Sequence, residues 1–215
     1  MLVISSIRSN DGKTAVTCGL ASVFCKLGLD FELAKIGPDY LDSLCAGNYA
    51  NVNRINLVSQ CGKQFYRWLS WLKRCSLVED CMGVMDSSEG EKVTTAALFH
   101  SLGGKLVLVL NCESAMQTTA YISSIICSKL SGIILNNISS YKQEIIISKT
   151  INRVAGVPIL GILRPRAAAL GRRHLGVIQP SEVLESLDEV YNLTLEMYYS
   201  CNISKLAQLM LAGDN

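Results

Sequence analysis

The sequence predicts an α/β fold in which helices cover both faces of a doubly wound, mostly parallel sheet. Short apolar runs recur along the 215 residues, and segments of helical length and mixed polarity separate them. The first run leads through a polar turn into a helix-like segment, which is the order of a strand–loop–helix unit. Because parallel strands need a crossover of about a dozen residues, this spacing indicates parallel pairing.

Each expected strand is a short apolar run. The strands are predicted at Leu2–Ile4, Leu33–Ile36, Val84–Met85, Leu106–Leu110, Gly132–Leu135 and Ile159–Leu163. The helices are predicted at Lys13–Leu27, Lys63–Arg74, Lys92–Ser101, Gln117–Leu130, Tyr141–Val154 and Glu182–Tyr198. Residues 1–215 have the length of one domain with one core. Right-handed crossovers then bring the loops that follow the strands to one edge of the sheet, where ligands of such folds gather.

The loop between the first strand and the first helix ends in Gly12, Lys13 and Thr14. Unpaired N–H groups and a positive dipole end attract phosphate at such a helix start, while the lysine adds a cation and the hydroxyl a Mg²⁺ ligand. A strict phosphate loop has a glycine where this chain has Ile7. An ordinary strand-to-helix turn, capped by the Asn-Asp pair before Gly12, is the alternative.

Charged residues follow the next two predicted strand regions. Lys35, Asp39 and Asp42 lie in one loop that could coordinate Mg²⁺ or steer a substrate, although a Gly-Pro turn with solvated acids also explains it. Glu79 and Asp86 lie near the position where phosphate-loop proteins keep an acid beside the metal. The alternative for these two is a helix end followed by surface acids.

Two further positions could contact a ligand. Asn136 follows a strand, where its amide could pair with both the donor and the acceptor of a purine edge; an Asn in a turn is the alternative. Arg173 and His174 belong to a basic segment that could bind an anion. Such a segment is more often a solvated face, and a lone histidine is more often structural than catalytic.

Composition restricts the class of protein. Twenty Lys and Arg against 18 Asp and Glu give no basic excess, so we expect no nucleic-acid partner. Nine cysteines lack the short spacings of zinc and redox motifs, which favours reduced thiols in a cytoplasmic protein. The chain has no apolar run of about 18 residues and no secretory leader pattern, so we expect no membrane association.

The order of the motifs is more specific than any one of them. The loop ending in GKT is followed by KIGPDYLD, EDCMGVMD, GIILNN, GVPILGIL and RRHLGV. This order resembles the cobyrinic acid a,c-diamide synthase family, specifically its N-terminal synthetase domain, over essentially the whole chain. The segments GPDYLD and RRHLGV carry most of the resemblance, since many families share a GKT loop.

The resemblance implies a dethiobiotin-synthetase-like P-loop fold and an ATP- and Mg²⁺-dependent amidation of the a and c carboxylates of a corrinoid or related tetrapyrrole. A carboxylate is a poor electrophile because its leaving group would be oxide. The family's chemistry is therefore expected to form an acyl phosphate first, which ammonia then converts to the amide. Phosphoryl transfer of this kind depends mostly on positioning and charge neutralisation.

Family roles extend to the matching positions of this sequence. Lys13 would hold the β- and γ-phosphates, Lys35 would offset developing charge, and Thr14 with Glu79 would ligate Mg²⁺. The acids Asp39, Asp42 and Asp86 would bind metal, with Asp39 the expected ligand, or orient substrate and ammonia. The expected nucleotide-binding residues are Asn10, Asp11, Gly12, Lys13, Thr14, Ala15, Asn136, Arg173 and His174.

Several positions depart from the family pattern. Asn10 and Asp11 occupy a loop that is glycine-rich in the family, and Val58, Asn111 and Thr118 replace charged residues. These losses favour one alternative, a diverged, non-catalytic nucleotide- or partner-binding module. A second alternative is another P-loop ligase of the dethiobiotin synthetase type, against which the GPDYLD and RRHLGV segments speak.

Family members continue into a C-terminal glutamine amidotransferase domain, which the 215 residues do not include. Ammonia is therefore expected from a separate glutaminase domain or subunit, or from solution. The sequence does not fix the oligomeric state, and a homodimer is compatible with it.

Overall fold

A parallel sheet forms the centre of the molecule. The computed structural model describes residues 1–36, 54–57, 76–86, 100, 103–113, 130–154, 156–165 and 187–212. Within these ranges seven strands form one sheet. They are β1 (Leu2–Ser6), β2 (Glu32–Ile36), β3 (Arg54–Leu57), β4 (Ser76–Asp80), β5 (Lys105–Asn111), β6 (Leu130–Asn136) and β7 (Ile159–Ile162).

The spatial order of the strands is β3-β2-β4-β1-β5-β6-β7, and every pair is parallel. Strand β1 lies in the interior of the sheet, where Leu2 is opposite Leu77 of β4 on one side and Lys105 of β5 on the other. All carboxyl ends therefore reach the same edge, which confirms the predicted α/β class and collects the loops that follow the strands.

The described helices cover the two faces of the sheet. They are α1 (Lys13–Lys26), α2 (Tyr141–Val154), α3 (Leu187–Ser200) and α4 (Ile203–Leu211). Alternate residues of β1 enter different cores: Leu2 and Ile4 pack with residues of α1, α3 and α4, whereas Val3 packs with residues of α2. No helix in the described ranges has the length and apolar character needed to cross a membrane.

Several predicted elements match closely. Helix α2 has the predicted bounds, and α1 ends one residue before the predicted Leu27. Helix α3 begins at Leu187 within the described ranges, and α4 was not predicted. Residue 130, predicted to end a helix, instead begins β6. The rest of that helix, the predicted helix at residues 63–74 and nearly all of the one at residues 92–101 lie outside the described residues.

The third predicted strand was wrong. Val84 and Met85 lie in a turn, and the strand of this region is β4, which ends at Asp80. The error arose because Val84 is buried like a strand residue, but its N–H donates to Ser6 O at 2.7 Å and closes a turn over the end of β1. In addition, the two acids that end β4, Glu79 and Asp80, are also typical of a helix end, so the sequence did not predict a strand there. Strand β3 was not predicted either.

Candidate functional site

The loop between β1 and α1 is the centre of the candidate site. Its backbone has positive φ at Asn10 (67°) and Gly12 (99°). Helix α1 begins immediately afterwards, and the Val16 N–H donates to Gly12 O at 3.1 Å. No side chain caps the helix start. The alternative of a turn capped by the Asn-Asp pair is therefore wrong, and the loop leads directly into a helix N-terminus, whose positive dipole end favours an anion.

Lys13 lies at the base of this loop. Its side-chain Nζ donates to Ser6 Oγ at 2.9 Å and contacts Arg8 O at 3.5 Å, and the residue is 5% exposed. Burial lowers the pKa of the ammonium group, against the opposing charges of nearby carboxylates, of which Asp80 acts most strongly. The loop thus directs a desolvated cation toward its own interior, as phosphate binding requires.

Three predicted site residues meet beside Lys13. The Thr14 hydroxyl donates to Glu79 Oε1 at 2.7 Å, and Lys35 Nζ lies 3.3 Å from the same oxygen. Lys35 and Glu79 are register partners on β2 and β4, so their side chains share a face of the sheet. Both side chains are at least 95% buried. A hydroxyl, a carboxylate and a second cation are therefore held at the carboxyl ends of adjacent strands.

Asn136, the last residue of β6, contacts the loop between β1 and α1. Its Nδ2 donates to Asp11 O at 3.0 Å, and its buried Oδ1 has no hydrogen-bond partner among the described residues. A Cβ added to Gly12 would collide with Nδ2. The predicted contact with adenine stays a prediction. Oδ1 is available to a donor such as the adenine amine, whereas Nδ2 would first have to leave Asp11 O.

The matching family model covers residues 2–176, which include this loop and all seven strands of the sheet in full. Its description is the CobQ/CobB/MinD/ParA nucleotide binding domain. The chain belongs to the CobQ/CobB/MinD/ParA nucleotide-binding family.

Curated relatives narrow the resemblance within this family. A hydrogenobyrinate a,c-diamide synthase of Streptomyces coelicolor is 31% identical over 97% of this chain and 46% of its own length. A cobyrinate a,c-diamide synthase of Magnetococcus marinus is 30% identical over 84% of this chain and 41% of its own. The predicted resemblance to these synthases is confirmed. The chain spans about half the length of the curated relatives it matches.

Solved structures agree on the fold. MinD, a cell division protein of Aquifex aeolicus, aligns over 100% of this chain and 97% of its own with a TM-score of 0.54 and 16% identity. The signal recognition particle receptor FtsY of Elizabethkingia anophelis aligns over 86% of this chain and 64% of its own with a TM-score of 0.50 and 12% identity. At these identities the likeness concerns the fold alone.

In this member of the CobQ/CobB/MinD/ParA family, β4 contributes a second acid that the sequence reading missed. Asp80 Oδ2 accepts from the Ser5 hydroxyl at 2.5 Å, and Asp80 Oδ1 accepts from the Met82 N–H at 3.4 Å. The charge of Asp80 acts on Lys13. If a strand had been predicted at residues 76–80, the place of Asp80 at its end, next to Glu79, would have indicated Asp80 as a site residue.

Asp86 and Asn111 have local roles in this family member. Asp86 is exposed, and its Oδ2 accepts from the Gly83 N–H at 2.8 Å, which closes the turn after β4. Asn111 Oδ1 accepts from the Glu113 N–H at 3.0 Å and from Asn137 Nδ2 at 3.1 Å. The amide oxygen of Asn111 therefore accepts hydrogen bonds from two N–H groups, and a carboxylate oxygen at this position could accept the same two bonds.

The remaining predicted site residues, Asp39, Asp42, Arg173 and His174, lie outside the described residues, as do Val58 and Thr118. Within the described ranges, no group of three or more His, Cys, Asp or Glu side chains is arranged to hold a metal ion.

Proposed function

We propose that this chain binds ATP with Mg²⁺ and catalyses the phosphorylation step in the amidation of the a and c carboxylates of cobyrinic acid or a related tetrapyrrole. The observation that carries the proposal is the cluster at the carboxyl edge of the sheet: buried Lys13 within the loop, and Thr14 and Lys35 around one oxygen of Glu79. The a,c-diamide synthase names of the relatives support the substrate class.

The loop would hold the triphosphate. The start of α1 would present its positive dipole end to the phosphates, and Lys13 would exchange its contacts with Ser6 and Arg8 for the β- and γ-phosphates. Because Lys13 is desolvated, its attraction to a phosphate is less screened than that of a surface lysine. Asn136 Oδ1 would accept from the adenine amine.

The residues present fit Mg²⁺. This ion prefers hard oxygen ligands and is usually bound through one or two carboxylates, phosphate oxygens and several waters, so a dedicated three-residue cage is unnecessary. Thr14 Oγ1 and Glu79 are adjacent oxygen donors of this kind. Bound there, the ion would reduce negative charge on the phosphates. Asp39 remains a proposed further ligand.

The proposed reaction has two steps. A substrate carboxylate oxygen attacks the γ-phosphorus and the bond to ADP breaks, giving an acyl phosphate. Ammonia then attacks the acyl carbon, loses a proton to form the amide, and phosphate leaves with the former carboxylate oxygen. Lys13 and Lys35 would stabilise the charge that develops during phosphoryl transfer, which is the main task of such a site. Asp42 and Asp86 would orient the substrate or ammonia.

The relatives are about twice as long as this chain, so the source of ammonia is also a proposal. We propose a separate glutaminase domain or subunit, with free ammonia as a substitute in solution. A homodimer remains a proposal as well.

Nucleotide binding is tested by thermal unfolding in Mg-ATP. At a concentration 100 times Kd, wild type should gain about 2.7 kcal/mol. Lys13→Ala should lose this gain. Lys149→Ala, which removes an exposed lysine of α2, should keep it. An equal gain in all three proteins, or no gain in wild type at millimolar Mg-ATP, would contradict the proposal.

The acyl phosphate is tested with a cobyrinic-acid-type substrate labelled with ¹⁸O in its carboxylates, together with Mg-ATP and ammonium. The expected result is an amidated product and one ¹⁸O atom in each phosphate released. Lys13→Ala should form neither product. Amide formation without ¹⁸O in the phosphate would exclude this route, and a folded wild type that binds Mg-ATP without amidation would favour the non-catalytic module.

A further inference from the structure

The phosphate loop carries a second cation, Arg8, that the proposed function leaves without a role. Arg8 Nε donates to Asp11 Oδ1 at 3.1 Å, and the Arg8 backbone N–H donates to Asp11 Oδ2 at 3.2 Å. The two side chains differ in environment, since that of Asp11 is 4% exposed and that of Arg8 is 67% exposed. The pair thus joins a buried carboxylate to a guanidinium on the exposed side of the loop, which we call the mouth of the loop.

Asp11 depends on Arg8 for its compensation. A buried carboxylate without hydrogen bonds is strongly unfavourable, and in the described part of the chain both Asp11 oxygens accept from Arg8. Burial raises the pKa of Asp11, while the hydrogen bonds and charge of Arg8 oppose that rise. A carboxylate inside a phosphate loop also repels phosphate, so loop closure alone would be served better by a neutral side chain.

The geometry leaves one end of Arg8 available. Its Nε donates to Asp11 Oδ1. Within the described ranges, the two terminal nitrogens of the guanidinium make no hydrogen bond. The carbonyl of Arg8 also contacts Lys13 Nζ at 3.5 Å, so both cations are tied to the same short loop. A guanidinium held through Nε retains two parallel donors that match a phosphate.

We infer that Arg8 binds the phosphate chain of the nucleoside triphosphate and that Asp11 is the positioning residue that orients its guanidinium. The inference rests on the proposed ATP site and adds a second phosphate-binding side chain to it. Independent support for a ligand at this loop comes from Asn136, whose Nδ2 donates to Asp11 O and whose buried Oδ1 has no partner in the part of the chain that the structure describes. Arg8 and Lys13 then divide the phosphate charge between the mouth and the base of the loop.

Calorimetric titration with Mg-ATP tests the role of Arg8. Arg8→Gln should raise Kd about tenfold, which is the effect expected for a lost hydrogen bond between charged groups. Arg8→Lys should not restore affinity, because an ammonium cannot bind Asp11 and phosphate with separate nitrogens in one plane. The matched control is Arg153→Gln, which makes the same change at an exposed position in the last turn of α2 and should leave Kd unchanged.

The sign of the Asp11→Asn effect tests the positioning role. If Asp11 only repelled phosphate, removal of its charge would lower Kd for Mg-ATP. Because we assign it to orienting Arg8, the variant should instead raise Kd several-fold. In the Arg8→Gln background the same change should raise Kd no further, since the guanidinium is already absent.

The double variant separates phosphate binding from simple loop closure. If Arg8 only neutralised Asp11, the uncharged Arg8→Gln/Asp11→Asn pair would regain wild-type affinity, and the inference would be overturned. The expected result is a Kd still about tenfold above wild type. Circular dichroism of the nucleotide-free variants checks folding. Failure of wild type to bind Mg-ATP would contradict the proposed function itself, whereas normal binding by Arg8→Gln would contradict only this inference.

Discussion

At the scale of single residues, the loop shows how an asparagine can take a position that usually requires glycine. Asn10 and Gly12 both have left-handed backbone conformations, and asparagine is one of the few other residues that adopts them readily. Asn10 is exposed at the tip, where its side chain has room. Gly12 is different, because the Asn136 amide occupies the space of a side chain. Only one of the two positions therefore requires glycine for both conformation and space.

Gly12→Ala should combine backbone strain with a collision against Asn136. Strain of this kind costs about 1–2 kcal/mol. Gly28→Ala is the matched control, because Gly28 has φ 71° but open space around its Cβ position. Urea unfolding should detect the strain in both variants. Titration should detect a loss of Mg-ATP binding in Gly12→Ala alone, and equal affinity in the two variants would show that the contact with Asn136 does not matter for the site.

The sequence predicted those candidate site residues whose chemistry follows from a local motif, and the structure brings several of them together. Lys13 and Thr14 follow a glycine at a helix start, and Lys35 and Glu79 occur where strands end. The pairing of Lys35 with Glu79 across β2 and β4, and the hydrogen bond from Ser5 to Asp80, depend on register between strands that are distant in sequence. The Arg8 to Asp11 bond is local, but its importance arises from burial, which the sequence does not reveal.

At the scale of elements, α1 and α3 approach closely through Gly19. A Cβ on Gly19 would come within 2.5 Å of Met197 Cγ and 3.0 Å of Leu193 Cγ, so the absence of a side chain allows the two helices to pack. In an isolated helix, alanine would be favoured over glycine by about 1 kcal/mol. Tertiary packing and helix propensity therefore oppose each other at this position.

Gly19→Ala should destabilise the protein by about 1 kcal/mol, because overpacking of a core typically costs about 1–3 kcal/mol and outweighs the gain in propensity. Chemical denaturation of the variant would measure this difference. In a Met197→Ala background the nearest obstacle is gone, and the same substitution should no longer destabilise. A stabilising effect of Gly19→Ala in the otherwise unchanged protein would mean that α3 moves aside at little cost.

The elements were predicted best where a segment of helical length and mixed polarity lies between two apolar runs. Helices α1 and α2 have 14 residues each and were recognised nearly to their ends. Strand β4 failed because two of its five residues, Glu79 and Asp80, are charged yet at least 97% buried. Their burial depends on Thr14, Lys35 and Ser5, which come from other elements. The charged residues therefore suggested an exposed segment, whereas the segment is a buried strand.

At the scale of the whole molecule, the free energy of unfolding should decrease at alkaline pH because of the Cys112 thiol. This thiol is fully buried after β5, and burial raises its pKa to about 12 from an ordinary value of 9.0, although a hydrogen bond from the Asn136 backbone opposes the rise. The unfolded chain loses this proton near pH 9 while the folded protein keeps it. The contribution of Cys112 to stability is therefore complete below pH 9 and declines as pH rises toward 12.

Between pH 9 and 10.5 the decline attributable to Cys112 should be about 2 kcal/mol, at about 1.4 kcal/mol per pH unit. Urea unfolding of wild type and Cys112→Ala across this range measures it, because other titrating groups contribute equally to both proteins. The stability difference between them should narrow or reverse as pH increases. A difference that stays constant would mean that the folded protein releases the Cys112 proton as readily as the unfolded chain.

The interior position of β1 also has a consequence for the order in which the molecule can assemble during synthesis. Its two neighbours, β4 and β5, begin at Ser76 and Lys105, so the first strand to be made is among the last to gain both partners. At about 5–20 residues per second, translation needs roughly 5–20 s to reach β5. For that time the apolar segment LVISS has no complete sheet to join, and a nascent chain stalled before β5 would be a target for chaperones.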